Sequence, residues 1–373
     1  MYINIYTRKI VISYLFLWWF SFTIYYISWL SRVLDMWWGI ILYSVILFLI
    51  YAVWKFLHGR EQAHFFLFFI SFLYRVSIFL AITILLIWTF VVYHNEIRPA
   101  KFPLYTISNW ERILKFQTVS HIASPAFYLS IRNSIKEAKS EGYVLLFEWV
   151  RAGSEENMED FNQALGINFS DTLYENFSRL YGVTPQDNMM FLWLWETPDI
   201  NVDMDIDTIM ELYRAKKSND THSESNWEIL QVDDEIIRLL ASLKDRELQI
   251  LQYINQAMLN FFMKQEWLQW EILQRSGVDI FSVILGERDT YIADFIHESE
   301  YEKMFALYGK LHFEWVLREL RIRDMWWQII QVEYRQVIER SSAEIMEEYT
   351  QLQNTNLEIQ EKLLRYIQTS DSD

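Results

Sequence analysis

The chain has 373 residues, a formal net charge of −16, 17% aromatic residues and no cysteine. Without cysteine there are no disulfides, no thiol nucleophile and no thiolate metal ligands. The acidic balance is set against binding to nucleic-acid phosphates. The charge is uneven: residues 1–97 carry six Lys/Arg and three Asp/Glu, leaving 27 basic and 46 acidic residues, a net −19, for 98–373. An apolar, slightly basic front therefore precedes an acidic rear.

Taken in chain order, the front holds three apolar stretches, 11–30, 36–54 and 76–93. Each has the length of a helix crossing a hydrocarbon core of roughly 30 Å. Trp18, Trp19, Trp29, Trp37, Trp38, Trp54 and Trp88 lie mostly near the ends of these stretches, where aromatic belts form. A cleaved signal peptide would need small residues after the first stretch, and bulky Trp29, Leu30 and Trp37 stand there. Arg75 marks the start of the third stretch or, as the alternative, an ionic group inside it. Three transmembrane helices over residues 1–97 are therefore expected. Arg8, Lys9, Lys55 and Arg60 place the N-terminus in the cytoplasm and the rear domain outside; Arg98, Lys101, Arg112 and Lys115 argue the other way.

Beyond residue 97, Pro99 and Pro103 flank a short connector. Arg112–Ser120 alternates like a strand. Ser124-Pro125 then suits a helix start, serine as N-cap and proline at the first helical position. A helix over Ala126–Lys139, closed by Gly142, leads to a second strand, Tyr143–Val150, with Glu148 near its end. Residues 201–275 read as a helical insertion, with Ile236, Leu239, Leu240, Leu243, Leu251, Ile254, Met258 and Phe262 at core-like spacing. Met304–Tyr308 reads as a strand, His312–Leu320 as a helix and Trp326–Tyr334 as a strand. The tail, 341–373, is a charged helix. Strands alternating with helices predict an α/β domain over 98–340 with a mainly parallel sheet, behind the membrane bundle.

Two of the seven histidines, His121 and His312, fall where a strand gives way to a helix. In a parallel sheet, ligands bind beyond the carboxyl ends of the strands. Glu148 ends the strand that follows the first histidine, and a carboxylate inside the run LLFEWV needs a partner if it is buried. His222 and His297 read as surface or packing residues.

At these positions the chain resembles the TraB/GumN family, which includes membrane-anchored metalloproteases. Gly309-Lys310-Leu311-His312 matches a G-x-x-H motif, and Thr118-Val119-Ser120-His121 matches it with threonine for glycine. Glu148 occupies the place of the family's strand glutamate. Glu287-Arg288-Asp289 matches its E-R-N motif with aspartate for asparagine, and Asn201-Val202-Asp203 is similar to a further short motif. The likeness covers roughly residues 110–336. It implies a divalent metal (Mn, Co or Zn) held by His121, His312 and Glu148, with Glu148, Glu287 and Arg288 as catalytic groups. Such a site leaves a coordination position for water and suits hydrolysis of a peptide or protein near a membrane surface. The two departures, Thr118 and Asp289, motivate an alternative, a non-catalytic regulator that binds a peptide or a membrane partner.

Overall fold

The computed structural model describes residues 78–79, 81–165, 171–194, 196–219, 232–265, 280 and 283–370. They belong to two compact units, Met1–Val92 with Ala241–Leu251, and Tyr93–Leu240 with Gln252–Asp373. In the first unit a helical run covers 81–92. The expected spans 11–30 and 36–54 lie outside the described residues. Among the described residues no helix is long and apolar enough to cross a membrane, so the expected bundle of three transmembrane helices is not found among them, which corrects the expectation for 76–93.

The second unit is built on a six-stranded sheet in the order β6-β4-β7-β2-β1-β8. Its strands are β1 (Lys101–Ser108), β2 (Ile113–Val119), β4 (Val144–Phe147), β6 (Asp199–Asn201), β7 (Lys303–Gly309) and β8 (Gln328–Gln336). Two further short strands, β3 (Ile122–Ala123) and β5 (Thr184–Pro185), pair apart from it. β6, β4, β7 and β2 run parallel, while β1 is antiparallel to both β2 and β8. The sheet is therefore mixed, which corrects the expectation of a mainly parallel one. The cause lies in β1. Its Pro103 signals a connector, because proline cannot donate to a ladder. Here β1 pairs with β2 only from Leu104 onward, so Pro103 sits past the end of that ladder. Its carbonyl is taken instead by the buried Thr118 hydroxyl, at 2.8 Å.

Strand alternation divides the core in two. Leu145, Phe147, Phe305 and Leu307 point to one face, with Phe127, Ile131, Ile135 and Tyr349. Val144, Leu146, Met304, Ala306 and Tyr308 point to the other, with Ile292, Ile296, Phe313, Val316 and Leu320. The first face is covered by α1 (Pro125–Ser140) and α9 (Ala343–Ser370). The second is covered by α7 (Arg288–Glu298) and α8 (Phe313–Arg323). Ser124 caps α1, its hydroxyl accepting from the Phe127 amide, and Pro125 opens the helix without an amide to satisfy. Along the chain between α1 and α7 come α2 (Glu155–Leu165), α3 (Asp171–Tyr181), α4 (Ile206–Asn219), α5 (Val232–Ser242) and α6 (Asp245–Lys264), of which residues 241–251 belong to the first unit. One ion pair, buried Lys139 of α1 with Asp199 of β6 at 2.5 Å, joins a helix to the sheet edge.

Candidate functional site

Four parallel strands end at one edge of the sheet. Each delivers a polar residue there: β4 leads into Glu148, β7 into His312, β6 into Asp203, and β2 into His121. α7 starts against the same edge. Successive helical residues lie about 100° apart, so Arg288 and Asp289 can turn inward while Glu287 faces out. Arg288 and Asp289 are buried and Glu287 is exposed.

Arg288 is the hub. Its Nε and Nη2 donate to Asp203 Oδ1 and Oδ2, both at 2.8 Å. Nη2 also donates to Glu148 Oε1 at 3.0 Å. The second Glu148 oxygen accepts from the Gly309 amide at 2.8 Å. His312 Nδ1–H donates to Asp289 Oδ1 at 2.5 Å, which leaves Nε2 facing Glu148 Oε1 at 3.6 Å. Asp289 Oδ2 is buried and has no hydrogen-bond partner among the described residues. Tyr308 fixes the backbone beneath, its hydroxyl donating to Val202 O at 2.7 Å.

These contacts set the charges. Burial raises the Glu148 carboxyl, but His312 and Arg288 outweigh it and hold the group well below the usual range. Burial opposes protonation of His312, yet Glu148 and the Asp289 hydrogen bond push its pKa up to about 9. Burial raises Asp289 to about 6, against the opposing pull of His312. Burial also raises Asp203, with Arg288 opposing. At neutral pH the site is a network of ionised Glu148, Arg288 and His312.

His121 stands apart. It is exposed, between β2 and β3, its ring 5.5 Å from that of Tyr174 on α3. Desolvation, His312 and Arg288 lower its pKa, and Glu148 opposes them. Tyr174 is pushed up to about 12 by burial and by Glu148. The backbones of His121 and Glu148 are tied by one short segment. Gln186 N donates to His121 O at 2.8 Å, and Asn188 Nδ2 to Glu148 O at 3.4 Å. Thus Glu148, Arg288 and His312 meet directly, His121 lies beside them, and Glu287 makes none of these contacts. Asp203, Asp289 and Tyr174 complete the cluster. Asp203 was marked in the sequence only by the likeness of Asn201-Val202-Asp203 to a short family motif, and Tyr174 by nothing.

Among the described residues no group of three or more His, Asp or Glu forms a ready-made ligand set. Two donors nevertheless fit a divalent ion. Ligands about 2.1 Å from a tetrahedral ion lie about 3.4 Å apart, and His312 Nε2 and Glu148 Oε1 are 3.6 Å apart. Asp289 supplies the carboxylate that orients a metal-binding imidazole through its other nitrogen. The expected third donor, His121, is not grouped with these two among the described residues. Gly309 borders this space: a Cβ there would rest against His312 Cδ2 at 3.4 Å and Glu148 Oε2 at 3.5 Å.

No protein-family model, no curated protein and no solved structure matches the chain.

Proposed function

We propose that the second unit is a metal-dependent hydrolase acting on amide bonds of a peptide or protein. The observation that carries this reading is the pair His312 Nε2 and Glu148 Oε1, 3.6 Å apart, with Asp289 behind the imidazole. The resemblance of the Gly309–His312 and Glu287–Asp289 segments to TraB/GumN motifs supports it. His312 and Glu148 would hold the ion, with His121 as third ligand. A bound divalent ion supplies Lewis acidity toward water and the scissile carbonyl.

The chain's own residues then have distinct tasks. Asp289 holds the His312 ring by Nδ1 and keeps Nε2 turned to Glu148. Arg288 fixes the Glu148 rotamer and balances its charge in a site where an unpaired carboxylate would be costly. His121, whose pKa is lowered by desolvation, would meet the ion as the neutral imidazole that metal ligation requires. The Tyr174 phenol remains protonated and can donate a hydrogen bond to a substrate carbonyl.

A second reading is a binding module without catalysis. It is favoured by Arg288, which already pairs Glu148, and by the absence of a three-donor set among the described residues. The test is hydrolysis of quenched fluorescent peptides by the full chain with added Zn, Mn or Co, beside His121→Ala and His312→Ala. Turnover that needs metal and is lost in both variants, with unfolding transitions intact, is expected. Saturable peptide binding with no metal uptake and no turnover would replace the first reading by the second.

A further inference from the structure

The other end of the sheet order carries a different feature. β8 pairs with β1 on one side only, and among the described residues no strand pairs with its outer edge. Residues 328–334 are all exposed. Edge strands are normally kept short or guarded by proline, lysine or a bulge, because their free N–H and C=O groups invite another strand. The opposite edge strand, β6, has only three residues. β8 has nine, with no proline and no lysine. Its one irregularity is a register shift opposite Thr106/Ile107, which leaves Ile330 without a partner and 331–336 regular.

The side chains of this regular stretch indicate what pairs there. Tyr334 and Val332 stand opposite Pro103 and Tyr105, on one face of the sheet, and are 64% and 37% exposed. Glu333 and Arg335 stand opposite Leu104 and Phe102, on the other face. Arg335 is anchored, donating to Ser130 O at 3.2 Å and to Ser134 Oγ at 2.7 Å on α1. Glu333 is exposed, and among the described residues its carboxylate accepts from Gln331 Nε2 within its own strand, at 2.9 Å.

We infer that a second copy of this chain adds to the sheet edge, β8 against β8 in antiparallel register about a two-fold axis at Tyr334. Only strands meeting in this way put residue 333 opposite residue 335 in both directions. Each Glu333 then faces the other copy's Arg335, giving two opposite-charge pairs across the seam. Tyr334 meets Tyr334 on the apolar face, an aromatic cross-strand pair. The shifted residue Ile330 lies outside the paired stretch. Glu333 and Arg335 cancel locally, so the chain's net charge of −16 meets no like-charge pair at the contact itself. The arrangement is isologous, so it closes at two copies and does not propagate.

The absence of cysteine makes the test direct. Tyr334→Cys and Val332→Cys are each introduced into the full chain and oxidised mildly. In the inferred register Tyr334→Cys lies opposite its own copy and forms a disulfide-linked dimer. Val332→Cys lies opposite Gln336 and cross-links at least ten times more slowly. The cysteine-free chain should show a concentration-dependent monomer–dimer equilibrium by light scattering. Glu333→Arg, an exposed change that sets like charges across the seam, should shift its midpoint at least tenfold toward monomer. A monomer at every concentration, or equal cross-linking of the two cysteine variants, overturns the inference. A dimer unaffected by Glu333→Arg overturns the register.

Discussion

Removing Arg288 tests how the candidate site is held together. The side chain is 5% exposed and makes three charge-assisted hydrogen bonds to Asp203 and Glu148. Arg288→Met keeps the bulk of the aliphatic stem but strips both carboxylates of their cation. Breaking a buried pair from one side costs about 3–5 kcal/mol, because a charge is left uncompensated. A loss of about 4 kcal/mol is expected. In urea unfolding it appears as a lower midpoint at unchanged slope. The loss should depend on pH. Without Arg288, burial dominates Asp203 and its folded pKa rises further above the unfolded value of about 3.9. The folded variant then binds a proton that the unfolded chain has released, so the variant gains stability as pH falls through that raised value. The deficit against the parent should therefore shrink between pH 7 and pH 4. Arg288→Met with Asp203→Asn should recover about 1–2 kcal/mol at pH 7, by removing one of the two stranded charges. A cost below about 1 kcal/mol, or one unchanged on acidification, would refute the proposed pairing.

Other perturbations give separate readings. His312 has a folded pKa of about 9, above its unfolded value near 6.5, so its contribution is fully present below 6.5 and is lost as pH rises through 9. Metal-free protein should lose about 3 kcal/mol across that window, and His312→Gln should flatten the profile measured by denaturant titration. Zinc affinity should rise up to tenfold per pH unit from 7 to 9, since His312 must shed its proton to bind; Asp289→Asn should flatten that slope in calorimetric titrations. Lys139→Ala should cost about 3–5 kcal/mol by leaving Asp199 partly stranded at the sheet edge, read as a fall in unfolding midpoint. Thr118→Val should cost about 1–3 kcal/mol, because Pro103 O loses its donor, while zinc affinity stays as in the parent.

The periodic apolar runs made β2, β4, β7, α1 and α8 legible, and with them the ends that carry Glu148 and His312. Three things were not legible, each for a physical reason. β1 contains Pro103, which is tolerated because it lies past the end of the ladder with β2, its carbonyl accepting from the Thr118 hydroxyl. Thr118 is buried, and the same contact ties β1 to β2. β8 had the pattern of a strand but not its place, since a repeat of strand, histidine and helix does not dictate which neighbour the next strand joins. It joins β1, so the two halves are not equivalent and their histidines differ, His121 exposed and His312 buried. Asp203 and Asp289 gained meaning only when Arg288 and His312 were found against them. The front's apolar composition, by contrast, suggested membrane spans that no described helix is long and apolar enough to form.

The central claim is that His312 and Glu148 form a divalent-metal pair. Its most direct test is calorimetric titration of zinc, manganese and cobalt into the full chain at pH 8, beside His312→Ala with Glu148→Gln. Binding of about one ion per chain, abolished in a double variant that still unfolds cooperatively, is the predicted result. No uptake of any of the three ions by the parent chain, or undiminished uptake by the double variant, would contradict it.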